Sequence, residues 1–295
     1  MWDLNIANLM AYRQETAHIL NVMELQRRFH ITPTGTLAYY GLVEENVRYF
    51  NQTGRALQPK HRSVVEDLLS ALYVGYADEL TFQLVLEPIQ APNNYAFAAD
   101  HVELIKQIAK ELSQYELEAS QRQKRLGIIV RFGSEMNDTD GTAGTTKADQ
   151  FISAYRTVRN AFRDLCPQAL FPFSPALRAD LDISLISQYW PGVDYVDLAG
   201  ATWYVHGDNQ EELGFANMAT YFEEFAKYGL PFSLDEFGGA QGSSINYFDN
   251  DIMLTKMFRQ IESLQPKGIG FRYATIFLDD VKYGVDAALQ FLRKA

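Results

Sequence analysis

The chain has 295 residues, 47% hydrophobic and 21% charged, so it can bury a large core, and its length suits two average domains or one α/β barrel. Its 26 basic against 37 acidic residues leave a net charge of −11, which argues against a nucleic-acid or anionic-membrane partner and fits a neutral or cationic ligand. Cys166 is the single cysteine, which excludes an intramolecular disulfide and disfavours a cysteine-based metal site. No run approaches the ~18 apolar residues of a membrane span. The opening MWDLNIANLMAYRQ has an early acid and no basic segment ahead of an apolar core, so it does not read as a signal peptide.

In chain order, Asn5 to Phe29 has apolar positions at roughly helical spacing and is expected to be an amphipathic helix. Thr36 to Tyr40 follows the breakers Pro33 and Gly35 as a short strand, Val43 to Arg55 is ambiguous, and Ser63 to Tyr76 reads as helix. Leu80 to Leu86 is a strand closed by Glu87 and Pro88, because proline has no N–H for the ladder. Asp100 to Glu118 is a helix. Further strand candidates begin near residues 126, 170, 195, 231 and 269. Helical patterns at Phe151 to Leu165, Asp182 to Tyr189, Glu211 to Lys227, Phe248 to Leu264 and Val285 to Lys294 alternate with them. Strand–helix alternation over nearly the whole length predicts a parallel sheet with crossover helices. No linker, repeat or composition break divides the chain, so residues 1–295 are expected to form one domain. Seven strand candidates after an opening helix suggest a (β/α)8 TIM barrel whose first strand is hidden in MWDLNIAN or absent. A doubly wound open sheet competes, but no glycine-rich phosphate loop follows an early strand.

Two strand ends carry chemistry. RLGIIVRFGSEMN starts as an apolar run and ends in Arg131, Glu135 and Asn137. Alternation points Arg131, Gly133 and Glu135 the same way, and a carboxylate at the mouth of a buried strand is costly unless paired or used. YGLPFSLDEFGG repeats the design, with Asp235 and Glu236 at the carboxyl end of a short apolar strand. Two carboxyls delivered by the same ends of different parallel strands suit glycoside hydrolysis, one as proton donor and the other as nucleophile or base. Alternation sends Asp235 to the face opposite Glu236 and gives it a structural part. Glu87 also ends a strand, placed to bind sugar or to brace Arg131. Trp190 and Trp203 are candidate stacking platforms, with buried packing as the competing reading. The five histidines form no H-x-x-x-H pair, so neither a metal nor a cofactor is expected.

These segments resemble glycoside hydrolase family 26, the β-mannanase type of the clan A barrels. RFGSEMN is similar to its R-F-x-H-E-M-N signature, Tyr189 to Tyr204 to its Y-Y-P-G-x-x-Y-V-D-x-x-G-x-x-x-Y segment, and LPFSLDEFG to its P-x-x-x-x-E-F-G strand. LVLEP and ALFPFSPA resemble two further strand ends, and the order and spacing match over about residues 80 to 240. The resemblance implies a retaining endo-acting hydrolase of β-linked polysaccharide, secreted by family analogy, with Glu135 as acid/base and Glu236 as nucleophile. It further implies that Tyr204 hydrogen-bonds the nucleophile, Arg131 holds it ionised and Asn137 shapes a sugar subsite. The chain departs from the family where Ser134 replaces a sugar-contacting His, where Ala176 closes S-P-A, and where DTDGTAG replaces an aromatic run. Those departures leave a non-catalytic carbohydrate-binding barrel as the alternative.

Overall fold

The computed structural model describes residues 9–12, 23, 34–88, 95–137, 148–177, 183–205, 211–239 and 271–277. Their strands are β1 (Leu9–Tyr12), β2 (Gly35–Gly41), β3 (Glu79–Glu87), β4 (Arg125–Phe132), β5 (Pro172–Phe173), β6 (Leu198–Ala199), β7 (Thr202–Val205), β8 (Phe232–Gly239) and β9 (Phe271–Phe277). Between them lie α1 (Glu44–Thr53), α2 (Pro59–Tyr73), α3 (Tyr95–Asp100), α4 (Val102–Gln121), α5 (Ala148–Arg163), α6 (Ile183–Ile186) and α7 (Glu211–Ala226). The expected helices at Phe248 to Leu264 and Val285 to Lys294 lie outside the described residues.

Every pairing is parallel, as strand–helix alternation requires, in the order β4-β3-β2-β1-β9-β8-β6-β5, with β7 also paired to β8. The two ends of this path meet at a parallel bridge between Ile129 on β4 and Leu170, just ahead of β5. Val130 N–H donates to Leu170 O at 2.8 Å, and Leu170 N–H to Ile128 O at 2.9 Å. Side chains on one face of β2 and β4 reach those of β7 and β8, so the sheet curls with that face concave. α2 packs on β2 and β3, α4 on β4, and α5 on α3 and α4. Their apolar faces meet Tyr40, Phe82, Leu84, Ile128, Val130 and Phe132 in the main core, in accord with the period-2 alternation of those strands.

The amino-terminal expectation is corrected. Leu9–Tyr12, inside the stretch read as helix, is a strand whose four residues register with Ala274 to Phe277 of β9. Four apolar residues carry helix and buried-strand patterns equally well. Two flanking parallel strands settle the matter by taking the backbone groups of β1 on both sides. The expected strand at residues 194–203 is also divided: Gly200 and Ala201 separate β6 from β7. The ambiguous segment at Val43 to Arg55 is helix α1.

Candidate active site

Arg131 organises the concave face. It lies near the carboxyl end of β4, paired with Val85, and is fully buried. A guanidinium has five N–H donors and tolerates burial only when they are used. Its Nε–H donates to Ser174 Oγ at 2.9 Å, Nη1 donates to Glu236 Oε2 at 2.5 Å, and Nη2 donates to Thr202 Oγ1. One side chain thus ties β4, the end of β5, β7 and β8. Burial works against its charge, but Glu236 and the further negative or phenolic neighbours outweigh it, and the guanidinium pKa rises above its ordinary value.

Glu236 reaches that arginine because β8 is irregular. Phe232 sits beside Ala199 and faces the core, Ser233 faces the concave side, and Leu234 returns to the core. Strict alternation would send Asp235 inward and Glu236 outward. Leu234 registers with Ala274 and Phe237 with Ile276, three residues of β8 spanning two of β9. That extra residue is a bulge, and it re-aims one side chain. Glu236 lies beside Thr202 in the β7 register and shares its face. Asp235 and Glu236 therefore both point inward, which corrects the expectation that they face opposite sides.

Tyr39, on β2, donates its O–H to the same Oε2 of Glu236 at 2.9 Å. Burial, and then the charge of Glu236, push its phenol pKa far up, so it stays a proton donor at any ordinary pH. Sequence reading missed Tyr39. The available signal was alternation along TLAYYG, which turns Tyr40 to the core and Tyr39 to the concave side. Ser174 and Thr202 were missed as well, although both stand at strand ends inside segments already singled out.

Glu135 follows β4 on a tight turn. Gly133 has φ 58° and Glu135 φ 55°, both left-handed. A Cβ at Gly133 would come to 3.2 Å of the Phe151 and Tyr95 rings, so the position accepts only glycine without displacement. A left-handed glutamate costs about 1 kcal/mol or more and persists where its surroundings fix it. Here Glu135 N–H donates to Ser174 O at 3.0 Å. Asn137 adds a bracket: its Nδ2 donates to Ala176 O at 3.0 Å, and Ala176 N–H returns a bond to Oδ1 at 2.9 Å. Its amide therefore clamps the turn to the end of β5. Glu135 acts electrostatically on Arg131, as do Glu236 and Asp235. Glu87, buried, accepts from the Ser134 hydroxyl and from Ser134 N–H at 3.3 Å. That fixes the turn and commits Ser134, which occupies the position of the expected sugar-contacting His.

The two tryptophans are not placed as platforms. Trp203 is 3% exposed and belongs to the core, because alternation along β7 turns its neighbour Thr202 to Arg131 and Trp203 the other way. Trp190 stacks on Tyr228, with centroids 4.9 Å apart at 17°, and packs against Phe173 and Phe225. Tyr228 precedes β8, so this cluster lies toward the amino end of that strand, away from Glu236. The backbone of Tyr204 registers with Gly238, next to the site, while its side chain lies outside the described residues.

No family model and no curated protein sequence matches the chain. Solved structures do. The modular endo-β-1,4-mannanase of Cellulomonas fimi superposes with a TM-score of 0.66 at 14% identity, covering 97% of this chain and 70% of that one. The family 26 β-mannanase of Bacteroides ovatus gives 0.64 at 14%, covering 97% and 88%. The β-mannanase of a symbiotic protist of the termite Reticulitermes speratus, in complex with a gluco-manno-oligosaccharide, gives 0.55 at 15%, covering 97% and 86%. The fold of this chain is that of the family 26 endo-β-mannanases, of which it is a distant structural relative.

Proposed function

We propose that the chain is a retaining glycoside hydrolase that cleaves a β-linked polysaccharide of the β-mannan kind, with Glu236 as nucleophile and Glu135 as acid/base. One observation carries the reading: a buried carboxyl at the carboxyl end of a parallel strand, one oxygen of which receives both a guanidinium and a phenol. These donors fix the position of the carboxyl that would attack. The shared fold supports a glycosidase-like activity. We further infer that the sheet closes as an eight-stranded barrel, with β6 and β7 as halves of one strand and the Ile129–Leu170 bridge as its seam.

In the first step a Glu236 oxygen bonds to the anomeric carbon as the glycosidic C–O bond breaks, and Glu135 gives its proton to the departing oxygen. Water then attacks the glycosyl ester, Glu135 takes a proton from it, and Glu236 leaves as carboxylate. Arg131 and Tyr39 stabilise that carboxylate at the start and the end of the cycle, and Glu87 and Asn137 hold the turn that presents Glu135. The test is reducing-sugar release from β-mannan, β-glucan and β-xylan by wild type beside Glu236→Ala. Release by wild type alone supports the reading and names the substrate class. Binding of a polymer without release by either protein would overturn catalysis in favour of a carbohydrate-binding barrel.

A further inference from the structure

Asp235 stands directly beside the proposed nucleophile, and the bulge of β8 turns both carboxyls to one side. It is fully buried. Its Oδ1 accepts from Ser233 Oγ at 2.7 Å and from the Tyr273 O–H at 2.5 Å, and the Ser174 hydroxyl also acts on the carboxyl, so its polar neighbours are neutral donors. Its Oδ2 is buried with no hydrogen-bond partner, and the carboxyl presses so closely on Gly200 that a Cβ there would collide with it. Arg131 directs its described hydrogen bonds to Ser174, Glu236 and Thr202, and none to Asp235. Two adjacent buried carboxyls therefore share one cation, and that cation is bonded to only one of them.

Two charges in such a space repel, and an unpaired charge without water costs far more than an unpaired O–H. Protonation at Oδ2 removes the charge and leaves Oδ1 free to keep both of its hydrogen bonds. We propose that Asp235 is a positioning residue that remains protonated beside Glu236 and so confines the buried negative charge of the site to Glu236. The inference rests on the reading of Glu236 as nucleophile only for its catalytic meaning. Adjacent carboxyls driven to different protonation states are how a site obtains one anion from two acids. The charged and titratable groups facing Asp235 are Arg131 on β4, Tyr273 on β9, Tyr155 on α5 and Tyr221 on α7, with Glu236 next to it in the chain. Burial raises the Asp235 pKa, against the opposing pull of Arg131 and of the Tyr273, Ser233 and Ser174 hydroxyls.

The experiment is a carboxyl carbon-13 NMR titration of wild type with aspartate-selective labelling, using Asp235→Asn to assign the resonance and Glu236→Gln as a second background. The Asp235 resonance is expected to stay at its protonated position from acid through neutral pH in wild type. Titration of that resonance in the ordinary aspartate range would overturn the proposal. Should Asp235→Asn fail to fold, the resonance is identified as the aspartate that changes most in Glu236→Gln, and the same two outcomes apply. Polysaccharide hydrolysis is measured on the same samples. Hydrolysis with an ionised Asp235 sinks this proposal and spares the enzyme reading, whereas a protonated Asp235 without hydrolysis does the reverse.

Discussion

Replacing Arg131 by Met tests whether one buried cation holds the site. The side chain is fully buried, and its partner Glu236 is 10% exposed on the side chain, so water cannot take over. Removing one member of a buried ion pair leaves an uncompensated charge and costs about 3–5 kcal/mol. The hydroxyls of Ser174 and Thr202 lose a donor too, at about 0.5–1.5 kcal/mol each where they find no other partner. Arg131→Met should therefore lose about 4 kcal/mol or more of unfolding free energy in urea at neutral pH, with hydrolysis abolished. Adding Glu236→Gln removes the stranded charge, so the double variant should recover at least about 1 kcal/mol relative to Arg131→Met alone. Raising the salt should change these differences little, since a buried pair is poorly screened. A loss of about 1 kcal/mol or less, typical of an exposed pair, or strict additivity of the two substitutions, would refute the reasoning.

Tyr39→Phe removes a donor to a charged oxygen, worth about 1.5–3 kcal/mol, and should lower kcat/KM for polysaccharide roughly 10- to 100-fold while the protein stays folded. Gly133→Ala must hold a left-handed residue against two aromatic rings and should lower the thermal midpoint by an amount equivalent to at least about 1 kcal/mol. His61 is buried beside Tyr40, and burial, then Lys60, lower its pKa to about 4 against the pull of its hydrogen bond to the Tyr39 carbonyl. The folded state therefore binds fewer protons than the unfolded one between about 6.5 and about 4, and the stability that this histidine contributes, present in full above that window, is lost as pH falls through it. The loss should be on the order of 3 kcal/mol in urea melts, and His61→Asn should flatten it. Trp190→Phe should leave polysaccharide affinity unchanged in a pull-down assay, because the ring packs on Tyr228 and Phe225 rather than beside Glu236.

Much of this arrangement is legible in the residues. A charged Arg131 inside an apolar run and a glutamate past each of two strands mark where the polar groups gather. Alternation alone would also have turned Trp203 to the core once Thr202 was matched to Arg131, and Tyr39 inward once Tyr40 was assigned outward. Two things were not legible. Leu9–Tyr12 looks the same as helix or as buried strand, and its pairing with β2 and with β9, the latter more than 250 residues later in the chain, decides between them. The inward turn of both Asp235 and Glu236 depends on one unpaired residue in the ladder, and a rule of strict period two has no place for it.

Ser174 has a bearing on how the two glutamates stay matched. Its hydroxyl accepts from the arginine that grips Glu236, and its carbonyl accepts from the backbone of Glu135. Glu135 and Glu236 are 101 positions apart in the chain, yet this single residue touches the backbone of one and the arginine partner of the other. A shift at the end of β5 would therefore strain the hold on both carboxyls at once. The spacing of the two glutamates is thereby tied to the end of β5 as well as to the strands that carry them.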